Sequence, residues 1–228
     1  MNRTKAKLVL DGITHAFTDG EKERTILDGL SLEVGEGELV AVTGPSGSGK
    51  STFLSIAGAL LSPDGGEVRI DGQPLSGMDA MRLAQLRLGK LGFIFQSANL
   101  IPYLKVEEQL LLVARLAGMP RAEAAARSRE LLERLGLGGR RKAYPERLSG
   151  GEKQRAAIAR AWMNGPEVIL ADEPTASLDA PRGADVMEML RAEVKARSKA
   201  GVVVTHDERV LSFCDRVLVL DAGRLKPA

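Results

Sequence analysis

The 228-residue sequence predicts an α/β fold: a phosphate-loop (P-loop) core of parallel strands, an N-terminal antiparallel β subdomain and an inserted α-helical subdomain. Three observations carry this reading. A strand-like run from Leu39 to Thr43 leads into the stretch Gly44-Pro45-Ser46-Gly47-Ser48-Gly49-Lys50-Ser51-Thr52, and a helix-like run from Phe53 to Ala57 follows. Two later apolar runs, Val168 to Ala171 and Val202 to Thr205, are closed by polar residues, as buried parallel strands are where their carboxyl ends face a ligand. Between Ser97 and Asn164 the periodicity turns helical.

The glycine-rich stretch reads G-x-x-x-x-G-K-S. Its glycines let the backbone turn tightly and bring successive N–H groups onto a polyphosphate. Lys50 is placed to reach the β- and γ-phosphates and Ser51 to offer a hydroxyl to Mg²⁺. The helix that follows adds the positive end of its dipole.

Composition narrows the class. With 44% hydrophobic residues the chain can bury a full core. A net charge of +2 and 4% aromatic residues give neither the field nor the stacking platforms expected of a nucleic-acid binder. Cys214 is the only cysteine, so no internal disulfide forms and a reducing, intracellular setting fits. The start, Met1 to Lys7, is polar and does not read as a signal peptide. No apolar run reaches the ~18 residues needed to cross a membrane.

In chain order, Leu8–Leu10 and Ile13–Phe17 read as short strands, residues 19–24 as a charged turn, and Ile26–Val34 as another strand. Glu67–Gly72 reads as a strand and turn, Met78–Leu88 as a helix with Met81, Leu83, Leu86 and Leu88 on its apolar side, and Leu91–Phe95 as a buried strand closed by Gln96. Helices are expected over Val106–Leu116, Arg121–Leu135 and from Leu148 to about Asn164. Ser177 to Asp179 is a loop, Pro181–Lys199 an amphipathic helix, and Arg216–Leu220 with Ala222–Leu225 the last strand and turn. His15 reads as a surface or strand histidine, Trp162 as core, and Arg140 to Lys142 as a solvated basic loop with lipid head-group contact as the alternative.

Four further places carry chemistry. Gln96 closes a strand on the ligand side of the sheet. Ser149 and Glu152 have capping-box spacing, yet Gly150 and Gly151 inside that first turn are poor helix formers. They make sense if an anion approaches the helix N-terminus closely. Asp172 and Glu173 end an apolar strand, a costly position unless a cation or a reaction uses them. There Asp172 can hold Mg²⁺ and Glu173 can orient and deprotonate water. His206 closes the next strand, where it can contact a γ-phosphate.

Taken in order, these motifs resemble the ATP-binding-cassette (ABC) ATPases over essentially the whole chain. The resemblance implies a single domain, with 1–96 and 166–228 forming the nucleotide-binding core and β subdomain and 97–165 the helical signature subdomain. It makes Lys50, Ser51 and Thr52 the Walker A motif, Gln96 a ligand to Mg²⁺ and water, and Ser149, Gly150 and Gly151 the signature. Asp172 and Glu173 become Walker B and catalytic base, Asp179 part of the D-loop, His206 the switch histidine, and Phe17 the aromatic that stacks on adenine. ATP and Mg²⁺ are the implied cofactors. Two copies are expected to pair head to tail, the signature of one facing the γ-phosphate on the other, held by a permease at the cytoplasmic face of the membrane.

The stretch Asp172-Glu-Pro-Thr-Ala-Ser-Leu-Asp179 and the short helical lobe look like the branch that serves macrolide efflux, lipoprotein release and haem export. Residues 96–110 look most like the haem-exporter (Hrt-type) ATPase, with Leu100, Ile101, Tyr103 and Leu104 expected to meet the permease. A cell-division type of regulatory ATPase and a soluble ATPase acting on nucleic acid or ribosomes are the competing classes. The low charge, the single cassette and the short lobe count against the second.

Overall fold

A computed structural model describes residues 5–19, 22–176 and 178–228. The expected polar start at Met1–Thr4, the tip of the charged turn at Gly20 and Glu21, and Ser177 of the 177–179 loop lie outside the described residues. The chain runs β1 (Ala6–Asp19), β2 (Lys22–Gly35), β3 (Glu38–Thr43), α1 (Lys50–Ala57), β4 (Gly65–Ile70), β5 (Gln73–Pro74), α2 (Ala80–Lys90) and β6 (Leu91–Ile94). It continues through α3 (Val106–Leu116), α4 (Arg121–Arg134), α5 (Gly150–Trp162), β7 (Val168–Asp172), α6 (Ala180–Ala196), β8 (Ala200–Val204), β9 (Arg216–Asp221) and β10 (Arg224–Pro227).

The first sheet is antiparallel, in the order β2-β1-β4-β5. Where the sequence suggests two short strands, β1 is continuous. A bulge near Gly12, whose N–H donates to the Ser31 hydroxyl at 2.9 Å, absorbs the irregularity without ending the strand. Of the two expectations for His15, surface or strand, the strand holds: it lies in β1 and is buried, its ring edge-on to Phe17 at 4.9 Å and its Nδ1 3.3 Å from the Asp64 carboxylate.

The second sheet has the order β10-β9-β3-β8-β7-β6, all parallel except β10. From β3 the chain crosses to the far edge at β6 and winds back through β7 and β8, passing β3 to reach β9. The strands are in step at their carboxyl ends: Val42 pairs with Val204 and Val204 with Asp172. The ladder runs one residue further, Thr205 N–H donating to the Val42 carbonyl at 3.1 Å and Glu173 N–H to that of Val204 at 2.8 Å. Thus Gly44, Glu173 and His206 emerge side by side.

Strand alternation builds two cores, one on each face. Val40, Val42, Val168, Leu170, Val202 and Val204 face α1 and the antiparallel sheet. Leu39, Ile169, Ala171 and Val203 face the residues of α3 to α6, with Trp162 buried among them as expected. The α2 helix departs from its pattern. Leu86 is buried and Leu83 packs at the margin of the first core, but Met81 is 71% exposed, because only one side of this short helix meets the sheet.

Candidate active site

A cleft of about 520 Å³ opens at the carboxyl edge of the parallel sheet. It brings together Gly44, Ser46, Gly47, Gly49, Lys50, Ser51 and Thr52 of the glycine-rich loop with Gln96, Asp172, Glu173 and His206. The loop's shape depends on Gly44: its φ is +142°, and a Cβ there would collide with the Leu220 carbonyl oxygen. Ser48 N–H donates to the Pro45 carbonyl at 3.3 Å, closing the turn, and the Ser48 hydroxyl is buried inside it. The Lys50 ammonium donates to the carbonyls of Gly44 and Pro45, both at 2.8 Å. An ammonium has three protons, so one remains for a phosphate oxygen.

Opposite the loop stands Glu173. Its φ of +45° is unusual for a residue with a side chain, and marks a backbone held in place by its surroundings. Its carboxylate has three donors. The buried Thr205 hydroxyl gives to Oε2 at 3.0 Å, the His206 backbone N–H gives to Oε1 at 3.0 Å, and His206 Nδ1 lies 2.6 Å from Oε1. Such a carboxylate keeps one orientation. The imidazole is otherwise open to solvent, so its Nε2 edge faces outward.

Burial pushes the Asp172 carboxyl above its ordinary range, and the neighbouring Glu173 charge adds to this while Lys50 partly offsets it. A carboxylate so placed fits a site that receives a cation. Among the described residues no cluster of three or more His, Cys, Asp or Glu could hold a metal alone. Mg²⁺ in this cleft would therefore need phosphate oxygens beside Ser51, Gln96 and Asp172, which suits an ion that favours one or two carboxylates plus substrate phosphates.

Sequence reasoning missed three residues here. Arg24 and Ile26 line the cleft from β2, and Thr205 steadies Glu173 from behind. Arg24 pairs across the hairpin with Phe17, which is half-exposed and not itself part of the cleft wall. Only strand register could have joined Arg24 to the site.

Ser149, Gly150, Gly151 and Glu152 do not line this cleft. They form the N-terminus of α5, where the capping box is complete: Glu152 N–H donates to Ser149 Oγ at 3.3 Å and Ser149 N–H to Glu152 Oε2 at 2.8 Å. Gly150 is exposed, while Gly151 is buried where Arg182 and Leu178 approach. Asp179 caps α6 by accepting the Arg182 N–H at 3.0 Å, also outside the cleft.

The segment after Gln96 is partly withdrawn. Leu100 packs on the core of α3 to α6, and the buried Gln109 side chain bonds the backbone of Ile101 and the Leu104 carbonyl. Of the four apolar residues expected to meet a partner, Tyr103 stands clear at 77% exposure. A neighbouring groove of about 480 Å³ is lined by Leu60, Leu88, Phe93, Phe95 and Val113. The basic loop is not merely solvated: Arg140 pairs with Glu152 at 2.8 Å and Arg141 with Glu107 at 3.2 Å.

The family model described as ABC transporter matches residues 27–176. A hemin import ATP-binding protein HrtA of Staphylococcus aureus (strain Newman) is 48% identical over 218 residues, covering 96% of this chain and 98% of the relative. Its namesake in Staphylococcus saprophyticus is 47% identical over 216 residues, covering 95% and 97%. Among solved structures, the ATP-binding cassette MJ0796, in a dimeric post-hydrolysis state bound to ADP and Pi, superposes with a TM-score of 0.88 at 39% identity, covering 96% of both chains. The cbiO1 subunit of the cbiONQ transporter complex from Clostridium perfringens gives 0.87 at 28% identity, covering 97% of this chain and 87% of that one.

Proposed function

The chain belongs to the ABC transporter family and is an ATP-binding, ATP-hydrolysing subunit, and on that footing we propose that it works as a head-to-tail dimer driving an efflux permease with haem as cargo. One observation carries the dimer reading. Lys50, Ser51, Gln96, Asp172, Glu173 and His206 share a cleft, while the capped signature at Ser149–Gly151 stands apart from it with Gly150 exposed. A second copy turned end for end brings a signature to each cleft. The cassette MJ0796, 39% identical to this chain, has been solved in dimeric form.

In this reading residues 97–165 form the helical signature subdomain, and Phe17 offers its exposed ring to adenine. The glycine-rich loop and Lys50 bind the phosphates. Glu173, fixed by Thr205 and His206, takes a proton from the attacking water. His206, with Nδ1 against the Glu173 carboxylate, presents Nε2 toward the γ-phosphate. Ser51, Gln96 and Asp172 would hold Mg²⁺, which when bound supplies neutralising charge at the β- and γ-oxygens. Lys50 and the signature of the other copy add to that stabilisation.

The permease would bind at Tyr103 and the groove of Leu60, Leu88, Phe93, Phe95 and Val113, holding the chain at the cytoplasmic face. Haem is favoured by the relatives' names, which specify hemin. Those names say import; export rests here on the likeness of residues 96–110 and 172–179 to the efflux branch. Co-purification of the tagged chain with its permease, followed by ATP-driven haem uptake into inverted vesicles, tests both points. Uptake only into right-side-out vesicles would reverse the direction, and a haem-insensitive complex coupled to a periplasmic hydrolase would favour the cell-division type.

A further inference from the structure

The turn between α4 and α5 carries two consecutive arginines that point to different partners. Arg140 Nε donates to Glu152 Oε1 at 2.8 Å, and Arg141 Nε to Glu107 Oε2 of α3 at 3.2 Å. The backbone is fastened as well, Glu107 N–H to the Arg141 carbonyl and Val106 N–H to that of Ala143, both at 3.0 Å. Arg140 is thereby held from behind and has one task in front of it.

That task concerns an electrostatic conflict at the N-terminus of α5. The helix end suits an approaching anion, but its capping box places a carboxylate there. Glu152 uses Oε2 for the Ser149 N–H and Oε1 for Arg140. Ser149 Oγ accepts the Glu152 N–H, which leaves the hydroxyl proton free to donate outward. Without a cation on Oε1, an incoming phosphate would meet an uncompensated negative charge beside that hydroxyl.

We propose that Arg140 is a positioning residue for the signature: by pairing with Glu152 it fixes the cap and cancels the carboxylate's repulsion, so that Ser149 can receive the γ-phosphate bound to the other copy. This rests on the head-to-tail reading above. Glu152 stays ionised at every assay pH, its carboxyl held down to about 2 by the Ser149 backbone N–H first and Arg140 second.

The test is dimer affinity in saturating MgATP, measured by analytical ultracentrifugation on the full chain carrying Glu173→Gln to prevent turnover. Adding Arg140→Ala raises the dimer Kd about tenfold, while ATP affinity at concentrations where the chain is monomeric is unchanged. Arg140→Lys recovers part of the loss. The decisive comparison is Glu152→Gln, which removes the repelling charge. In that background Arg140→Ala costs about threefold or less, because the two effects are coupled. An equal loss with Glu or Gln at position 152 overturns the proposal, as does unchanged dimerisation of Arg140→Ala. Ser149→Arg separates the two levels: if it dimerises normally, the head-to-tail reading itself falls, whereas its loss of dimer beside an inert Arg140→Ala overturns only the role of Arg140.

Discussion

Thr205→Val removes one hydroxyl and almost no volume. Thr205 is fully buried and does not line the nucleotide cleft, so the change leaves the phosphate-binding surface intact. Its hydroxyl has two bonds, donating to Glu173 Oε2 at 3.0 Å and accepting the Asp207 N–H at 3.0 Å. Loss of the first leaves Oε2 without its protein donor, while Oε1 keeps both contacts to His206. A hydrogen bond to a charged group contributes about 1.5–3 kcal/mol. If that energy is what fixes the base against water, kcat falls about 10- to 150-fold. KM for ATP changes less than twofold, since no nucleotide contact is lost. The orphaned Asp207 N–H costs about 1–3 kcal/mol of stability, a drop of roughly 2–12 °C in Tm for a chain this size. Steady-state ATPase assays below that temperature separate the two effects, and Thr205→Ser serves as the rescue. A kcat within twofold of the parent in a well-folded Thr205→Val chain would refute the positioning argument.

Four shorter predictions accompany it. Glu173→Gln binds ATP with near-parental affinity in equilibrium titration but hardly turns over; near-normal turnover removes Glu173 from the role of base. Lys50→Ala loses nucleotide affinity, by about tenfold or more for one charge-assisted contact, and unchanged binding would contradict the loop assignment. Gly44→Ala drives a Cβ into the Leu220 carbonyl, and a well-folded, nucleotide-binding Gly44→Ala chain would show that the loop does not need its present path. Burial pushes the Cys214 thiol up to about 11, so in the folded chain it is nearly all protonated at pH 8 and alkylation should be slow, rising toward pH 11 and on unfolding; rapid labelling of the native chain at pH 8 would show an open thiol.

The parts of this molecule that the sequence made legible are those in which local pattern and chemistry coincide. A parallel strand buried on both faces must be apolar throughout, so β3, β7 and β8 stand out, and the polar residues that close them mark the ligand edge. The glycine-rich loop is readable because its geometry demands glycine at Gly44 whatever surrounds it. What stayed hidden depends on pairing between distant segments. Arg24 reaches the cleft only through the hairpin register that sets it opposite Phe17. Thr205 read as the last residue of a strand, and its role appears only when β7 and β8 are in step. That the His15 side chain is buried depends on the fold as well, since Asp64, which it meets at 3.3 Å, lies 49 positions along the chain. Arg140 and Arg141 resembled a solvated basic patch, since their partners lie 12 and 34 positions away in the chain.

The polarity of the parallel sheet also divides labour between its two edges. Lys50, Ser51, Gln96, Asp172, Glu173 and His206 all stand at or just after a strand's carboxyl end. The amino ends carry ionic ties instead. Lys7 of β1 bonds Glu167, just before β7, at 2.8 Å and Asp71, just after β4, at 3.1 Å. Lys199, just before β8, meets the buried Glu193 of α6 at 3.1 Å, and Arg134 of α4 reaches the same carboxylate at 2.6 Å. Asp215, just before β9, accepts the Leu39 N–H at 2.9 Å and pairs with Lys195 of α6 at 2.6 Å. Of these ties Lys199–Glu193 is buried on both sides. Such a pair adds little net stability, because desolvation offsets most of its attraction, but breaking it is costly, so it holds a single arrangement. The more exposed ties around it add to the fastening. Placed at this edge, they fasten the antiparallel sheet and the α4 helix to the core at points remote from the cleft. The carboxyl edge is left with loops and helix ends, which can adjust to a nucleotide and to a second copy without disturbing the sheet that aligns them.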